Sequence, residues 1–330
     1  MAEYKGIKGF KVQYLSADPS NPITGQTWYN STSKDLKYTS VTTAGAWATG
    51  NNMNTARSYL AGAGTQTAAL AFGGETPPYT GVTEEYDGTS WTNSNPLNTA
   101  RASFTGAGIQ TAAFAVGGES PGGNTGATEE YDGATWSSNP TGLNTVRRSL
   151  GGCGTQTAGL AFGGTNGSVT GATEEYDGSS WTSNPTGLNT ARIGGRGCGI
   201  QTAALAFGGL PSPIGSALTA TEEYNGSTWA SNPTGLNTAR TLTGAAGTQT
   251  SALGFGGATD YLNTKTAATE EYDGSTWTSV NSMNTPVFSL AGAGTQTAAV
   301  GFGGYSTAIT AATEEWTGAG APTTKTITVS

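Results

Sequence analysis

The chain has 330 residues, among them 52 glycines and 13 prolines, with 14 basic and 22 acidic side chains, a net charge of −8 and no histidine. That much Gly and Pro argues against long helices, and an acidic balance without a basic stripe argues against nucleic-acid binding. The missing histidines remove the commonest general base and the commonest transition-metal ligand, which excludes most familiar hydrolase, oxidase and zinc chemistries, while eight Trp and thirteen Tyr supply bulk that disordered chains lack.

In chain order, the opening residues carry lysines with no apolar segment behind them, and no run approaches eighteen apolar residues, so neither a signal peptide nor a membrane span is expected. Residues 1–35 stand apart from the remainder of the chain. Leu36 to Thr49, with Tyr38 and Trp47, reads as β structure. From Asn54 the chain repeats itself. Asn54-Thr-Ala-Arg57 leads into a β-capable stretch, Gly64-Thr-Gln-Thr67 turns it back, and an apolar run ends at Gly73-Gly74. After a variable loop comes Glu84-Glu85-Tyr86, then Asp87-Gly88, a pair suited to a two-residue hairpin turn, then Trp91. The Gly-Gly pair returns at Gly118, Gly164, Gly209, Gly257 and Gly304, a period of 44 to 48 residues, with units starting near 54, 98, 144, 189, 237 and 284. Four short strands at such a period predict an all-β propeller blade. Crowding near a propeller axis explains the preference for Ala and Gly over larger aliphatics.

These residues resemble the kelch repeat: an apolar run ending in Gly-Gly, a Glu-x-Tyr strand, then Trp, over roughly residues 36–316. The wording Gly-Thr-Gln-Thr-Ala-Ala-Leu-Ala-Phe-Gly-Gly and Thr-Glu-Glu-Tyr-Asp-Gly-Ser-Ser-Trp resembles more narrowly the kelch-type proteins of marine bacteriophages. Gly25 to Tyr38 is similar to a short β module of phage tail and fibre proteins. The resemblance implies a virion protein made in the bacterial cytoplasm, with residues 1–35 attaching it to other virion proteins and residues 36–330 forming a displayed propeller. The missing histidines and the lack of converging catalytic groups argue separately for a non-enzymatic one. That propeller either binds host-surface glycan or serves as a structural or decoration subunit, alone or as a homo-oligomer. An enzymatic alternative is a carbohydrate-active propeller using two carboxylates. Galactose-oxidase-like copper chemistry has no His ligands here.

Six Gly-Gly strands and six Thr-Glu-Glu strands predict six blades, the last completed by the stretch containing Trp47. The rival count is seven, with Gly9–Thr49 as a degenerate blade and Thr324–Val329 completing the sixth. The paired acids read as structural, because neighbours on a strand point to opposite faces. One Glu of each pair (Glu84, Glu129, Glu174, Glu222, Glu270) is expected to meet the lead-in arginine (Arg57, Arg101, Arg147, Arg192, Arg240), which Val287 replaces in the sixth unit. Glu314 and Glu315 then need another donor. Tyr86, Trp91 and their equivalents are expected to fill gaps between blades. Cys153 and Cys198, at one repeat position in adjacent units, are expected to stay reduced. No catalytic residue, metal ligand or cofactor is assigned. The loops after Gly-Gly vary most, and Tyr79, Asp260, Tyr261, Lys265 and Tyr305 on them are the candidate ligand contacts.

Overall fold

The structure, a computed structural model, describes residues 12–20, 25–41, 44–212, 215–260, 264–320 and 322–327. The described residues contain no α-helix. Their strands form repeated four-stranded sheets, an all-β arrangement compatible with a β-propeller.

Sheet 1 runs Ala61–Thr65, Ala68–Phe72, Thr83–Tyr86, Trp91–Ser94, each strand antiparallel to the next. Sheet 2 is Thr105–Ile109, Ala112–Val116, Thr128–Tyr131, Trp136–Asn139, and sheet 3 is Gly151–Thr155, Ala158–Phe162, Thr173–Tyr176, Trp181–Asn184. Sheet 4 (Arg196–Ile200, Ala203–Phe207, Thr221–Tyr224, Trp229–Asn232) and sheet 5 (Gly244–Thr248, Ser251–Phe255, Thr269–Tyr272, Trp277–Val280) repeat the order. Sheet 6 has Ala291–Gly294, Ala298–Phe302 and Thr313–Thr317, and its fourth strand is Ala46–Thr49 from the other end of the chain.

Local chemistry explains the strand ends. The expected two-residue hairpin at Asp87-Gly88 is wider than the dipeptide alone suggests: Tyr86 pairs with Trp91, so four residues turn the chain. Asp87 accepts the amides of Thr89 (2.8 Å) and Ser90 (2.6 Å), which hold its carboxyl below the usual carboxylate range, and Gly88 takes φ +86°. Asn225 does the same work in sheet 4. The Gly-Gly pair bends the second strand toward the next sheet: Gly73 and Gly74 take φ +61° and +104°, and a Cβ on Gly74 would lie 2.7 Å from the Ser58 carbonyl oxygen. The Gly74 amide can then donate to the Arg101 carbonyl (2.9 Å) in the lead-in of sheet 2.

The core lies between sheets. Phe72 of sheet 1 meets Trp136 of sheet 2 with ring centroids 4.9 Å apart, and the same pairing recurs as Phe162–Trp229, Phe207–Trp277 and Phe302–Trp91. Such rings leave no room for a side chain on the facing first strand: a Cβ on Gly106 would sit 2.5 Å from Phe72. The first strands touch in the order sheet 1, 2, 3, 4, 5, 6 and back to sheet 1.

By its contacts the chain divides into two units, residues 46–316 and residues 1–45 with 317–330. In the second of these, Gln13–Leu15 lies parallel to Thr27–Asn30, which pairs with Asp35–Val41, which pairs with Pro322–Thr326. Asp18 accepts hydrogen bonds from Lys37 (2.8 Å), Asn30 (2.7 Å) and the fully buried Trp28 (3.0 Å), and these lower its pKa to about 2. The sequence reading places Leu36–Thr49 with the repeats, and its seven-blade alternative has Thr324–Val329, of which 328 and 329 lie outside the described residues, complete the sixth. Both edges of Asp35–Val41 are instead occupied inside this small sheet, so only Ala46–Thr49 joins sheet 6.

Candidate functional site

The repeated polar side chains satisfy one another. Each lead-in arginine is buried and paired with the expected glutamate: Arg57–Glu84 at 3.3 Å, Arg101–Glu129 at 3.1 Å, Arg240–Glu270 at 2.8 Å, and Arg147–Glu174 and Arg192–Glu222 in close contact. The same glutamates accept backbone amides, as Glu84 does from Asn54 (2.6 Å) and Thr55 (3.2 Å). Burial pushes Arg57 and Arg101 down to about 10, against the attraction of their carboxylates. Glu314, in the sheet where Val287 replaces the arginine, keeps the amides of Asn284 (2.7 Å) and Thr285 (3.0 Å).

The second glutamate of every pair but Glu270-Glu271 reaches the next sheet. Tyr86, Tyr131, Tyr176, Tyr224 and Tyr272 donate their hydroxyls to Glu315, Glu85, Glu130, Glu175 and Glu223. Burial first, then the adjacent carboxylate, raises these phenols, Tyr131 to about 12. Two further sets of contacts are invisible in the sequence. Each fourth-strand Trp indole donates to the threonine that opens the third strand of the preceding sheet: Trp136 to Thr83 (3.0 Å), then Trp181–Thr128, Trp229–Thr173, Trp277–Thr221, Trp47–Thr269 and Trp91–Thr313 (each 2.9 Å). The glutamine of each Gly-x-Gln-Thr turn clamps two carbonyls of the preceding sheet, as Gln110 does with Ala69 (3.0 Å) and Tyr86 (2.8 Å). The turn is therefore also an intersheet contact.

Just before the first strands, Tyr59, Ser103, Ser149, Gly194, Leu242 and Ser289 all take φ between +54° and +63°. Each N–H donates to the carbonyl of the one before it, at 2.6 to 3.0 Å, and Tyr59 donates to Ser289, so the six bonds return to their start. A left-handed non-glycine residue costs about 1–2 kcal/mol. Here each gains a backbone hydrogen bond in the one place where six segments converge.

Above five members of that ring lies a cleft of about 710 Å³. Its charged and aromatic side chains are Glu75, Glu119, Arg148, Tyr59 and Tyr79, with Asn124, Asn166, Ser168 and Ser212 among its polar ones. Arg148 and Glu119 form an ion pair. Burial, reinforced by the charge of Glu119, raises Glu75, and burial together with Glu119 raises the Tyr79 phenol. The residues after Gly74, Gly118, Gly164 and Gly209 reach the cleft, and each bridges back to its lead-in, as Glu75 does to Ser58 and Glu119 to Ala102. Sequence reasoning marks these loops as the variable face but passes over Glu75 and Glu119. The signal available is their place directly after Gly74 and Gly118, where the repeat loses its uniformity.

Of the candidate ligand contacts, Tyr79 lines the cleft. Lys265 lies 5.5 Å over the Tyr305 ring, which itself packs on Phe288. Asp260 accepts the amide (2.8 Å) and hydroxyl (2.9 Å) of Thr264 and so shapes its own loop. Neither Asp260, Lys265 nor Tyr305 lines the cleft, and Tyr261 lies outside the described residues. Cys153 and Cys198 are separate, buried thiols, both raised by burial. Among the described residues no three His, Cys, Asp or Glu side chains converge as metal ligands. No family model matches the chain, and no curated protein matches it in sequence.

Proposed function

We propose that residues 46–316 are a six-bladed, kelch-like propeller, completed by Ala46–Thr49, that acts as a non-catalytic carbohydrate-binding module of a phage virion. The six-blade count rests on the pairing of Ala46–Thr49 in sheet 6 and on the Trp47 indole taking the sixth place in the tryptophan series. The virion setting rests on the resemblance of the repeats and of Gly25–Tyr38 to phage proteins, with residues 1–35 as the attachment segment to other virion proteins.

The binding role rests on one observation, the cleft over the backbone ring. Tyrosine faces beside short hydroxyl and amide side chains suit the stacked and hydrogen-bonded recognition of a sugar. Two carboxylates against one arginine make the lining acidic, which favours neutral or amino sugars over sulfated or uronic ones. An array of such glycans tests this. Wild-type protein is expected to bind a neutral or amino-sugar subset, and Tyr79→Ala to lose that binding by about tenfold or more, as about 1.4 kcal/mol of contact implies. Binding by sulfated glycans only, or binding unaffected at Tyr79, would contradict the reading.

One observation favours a second reading. Glu75, held in its protonated form to higher pH beside an ion-paired Glu119, has the asymmetry of an acid–base pair. Release of reducing ends from a bound glycan, lost in Glu75→Gln, would establish that activity.

A further inference from the structure

The first strands enclose a narrow cavity of about 60 Å³ on the inner side of the six-bond ring, and its lining is Gly, Ala and a few larger apolar residues and threonines with one exception. That exception is Arg196. The residue opening the first strand is Ala61, Thr105, Gly151, Gly244 or Ala291 in the other five sheets, so sheet 4 alone places a cation there. Arg196 donates its Nε–H to the Thr243 carbonyl (3.0 Å). Its two terminal NH2 groups have no protein acceptor among the described residues, and no acidic side chain lines the cavity. The five lead-in arginines are all matched by carboxylates, so the absence of one here is a departure from this protein's own rule.

A guanidinium stays protonated in a protein, and its planar fork is built for anions. Arg196 is half-buried, and no carboxylate beside it on the cavity wall offsets its charge. We propose that the cavity at Arg196 is a binding site for one small inorganic anion of halide or nitrate size. The lining sets the class: beyond the guanidinium it offers only two threonines among Gly, Ala, Leu and Phe, so it suits one small monovalent anion better than a polyanion or a polar organic acid. The way in is the far end of the first strands, where Gly64, Gly108, Gly154, Gly199, Gly247 and Gly294 line a second, open cavity of about 130 Å³. The opposite end is rimmed by residues next to the backbone ring, Leu60, Phe104, Thr243 and Leu290.

Bromide is the probe. In crystals of the full chain grown with sodium bromide, anomalous scattering is expected to show one peak within hydrogen-bond distance of the Arg196 terminal nitrogens. The peak is expected to vanish in Arg196→Ala, which installs the residue that sheets 1 and 6 already carry. In solution at fixed ionic strength, exchanging a bulky organic anion for bromide is expected to raise the melting temperature of the wild type and not of the variant. Bromide found only on the outer surface, or equal shifts in both proteins, would overturn the site. Should the variant fail to fold, the wild-type map alone decides.

Discussion

Sheets 1 to 5 and sheet 6 perform the same task with different parts. Each of the first five is one continuous stretch with a buried Arg–Glu pair and a tyrosine that reaches the preceding sheet. Sheet 6 draws its fourth strand from residues 46–49, has Val287 in place of the arginine, and has Trp316 in place of the tyrosine. What survives in all six is the intersheet set: the indole–threonine bond, the glutamine clamp and the left-handed backbone ring. Fixing neighbours to one another is thus the invariant part of the repeat, and the ion pair inside a sheet is the dispensable part. Trp47 even packs on Trp316 (5.5 Å) and Phe255 (4.9 Å), rebuilding with a strand from the other end of the repeats the aromatic contact made elsewhere.

The largest effect is expected from removing that borrowed strand. A chain beginning at Gly50 would leave Thr313–Thr317 as an open edge and Thr269 without its indole donor, and should lose cooperative unfolding and self-associate, as calorimetry and light scattering would report. Next comes the ion pair. Arg147→Met strands Glu174 in the interior and should cost about 3–5 kcal/mol by denaturant titration. Glu314→Gln in sheet 6, where no cation is lost, should cost only about 1–3 kcal/mol. Similar costs at both sites would erase the distinction drawn between them.

The smallest effect concerns Glu271, the one acid of its series that accepts no tyrosine hydroxyl, since Trp316 stands at the tyrosine position of sheet 6. Burial raises its pKa. The folded chain therefore holds that proton to higher pH than the unfolded chain, and stability falls as pH rises through the carboxylate range. Trp316→Tyr supplies the missing hydroxyl and should flatten that slope. Melting temperatures between about pH 4 and pH 7 would show it.

The repeat was legible because its spacing is written in residues with few alternatives: Gly-Gly, where a Cβ would strike a carbonyl, and Trp, which only a gap between sheets can house. The Arg–Glu pairing was legible from the cost of burying either alone. The glutamine clamps were not, since a polar residue in a turn ordinarily faces water. The cleft was not legible either. Glu75 and Glu119 are 44 residues apart and come together only because successive sheets pack side by side.

The six-fold repeat depends most on Trp47 being one of six equivalent wedges. Hydrogen exchange of the indole N–H groups tests this directly. The predicted result is protection of Trp47 matching that of Trp91, Trp136, Trp181, Trp229 and Trp277. Fast exchange at Trp47 with the other five protected would contradict it.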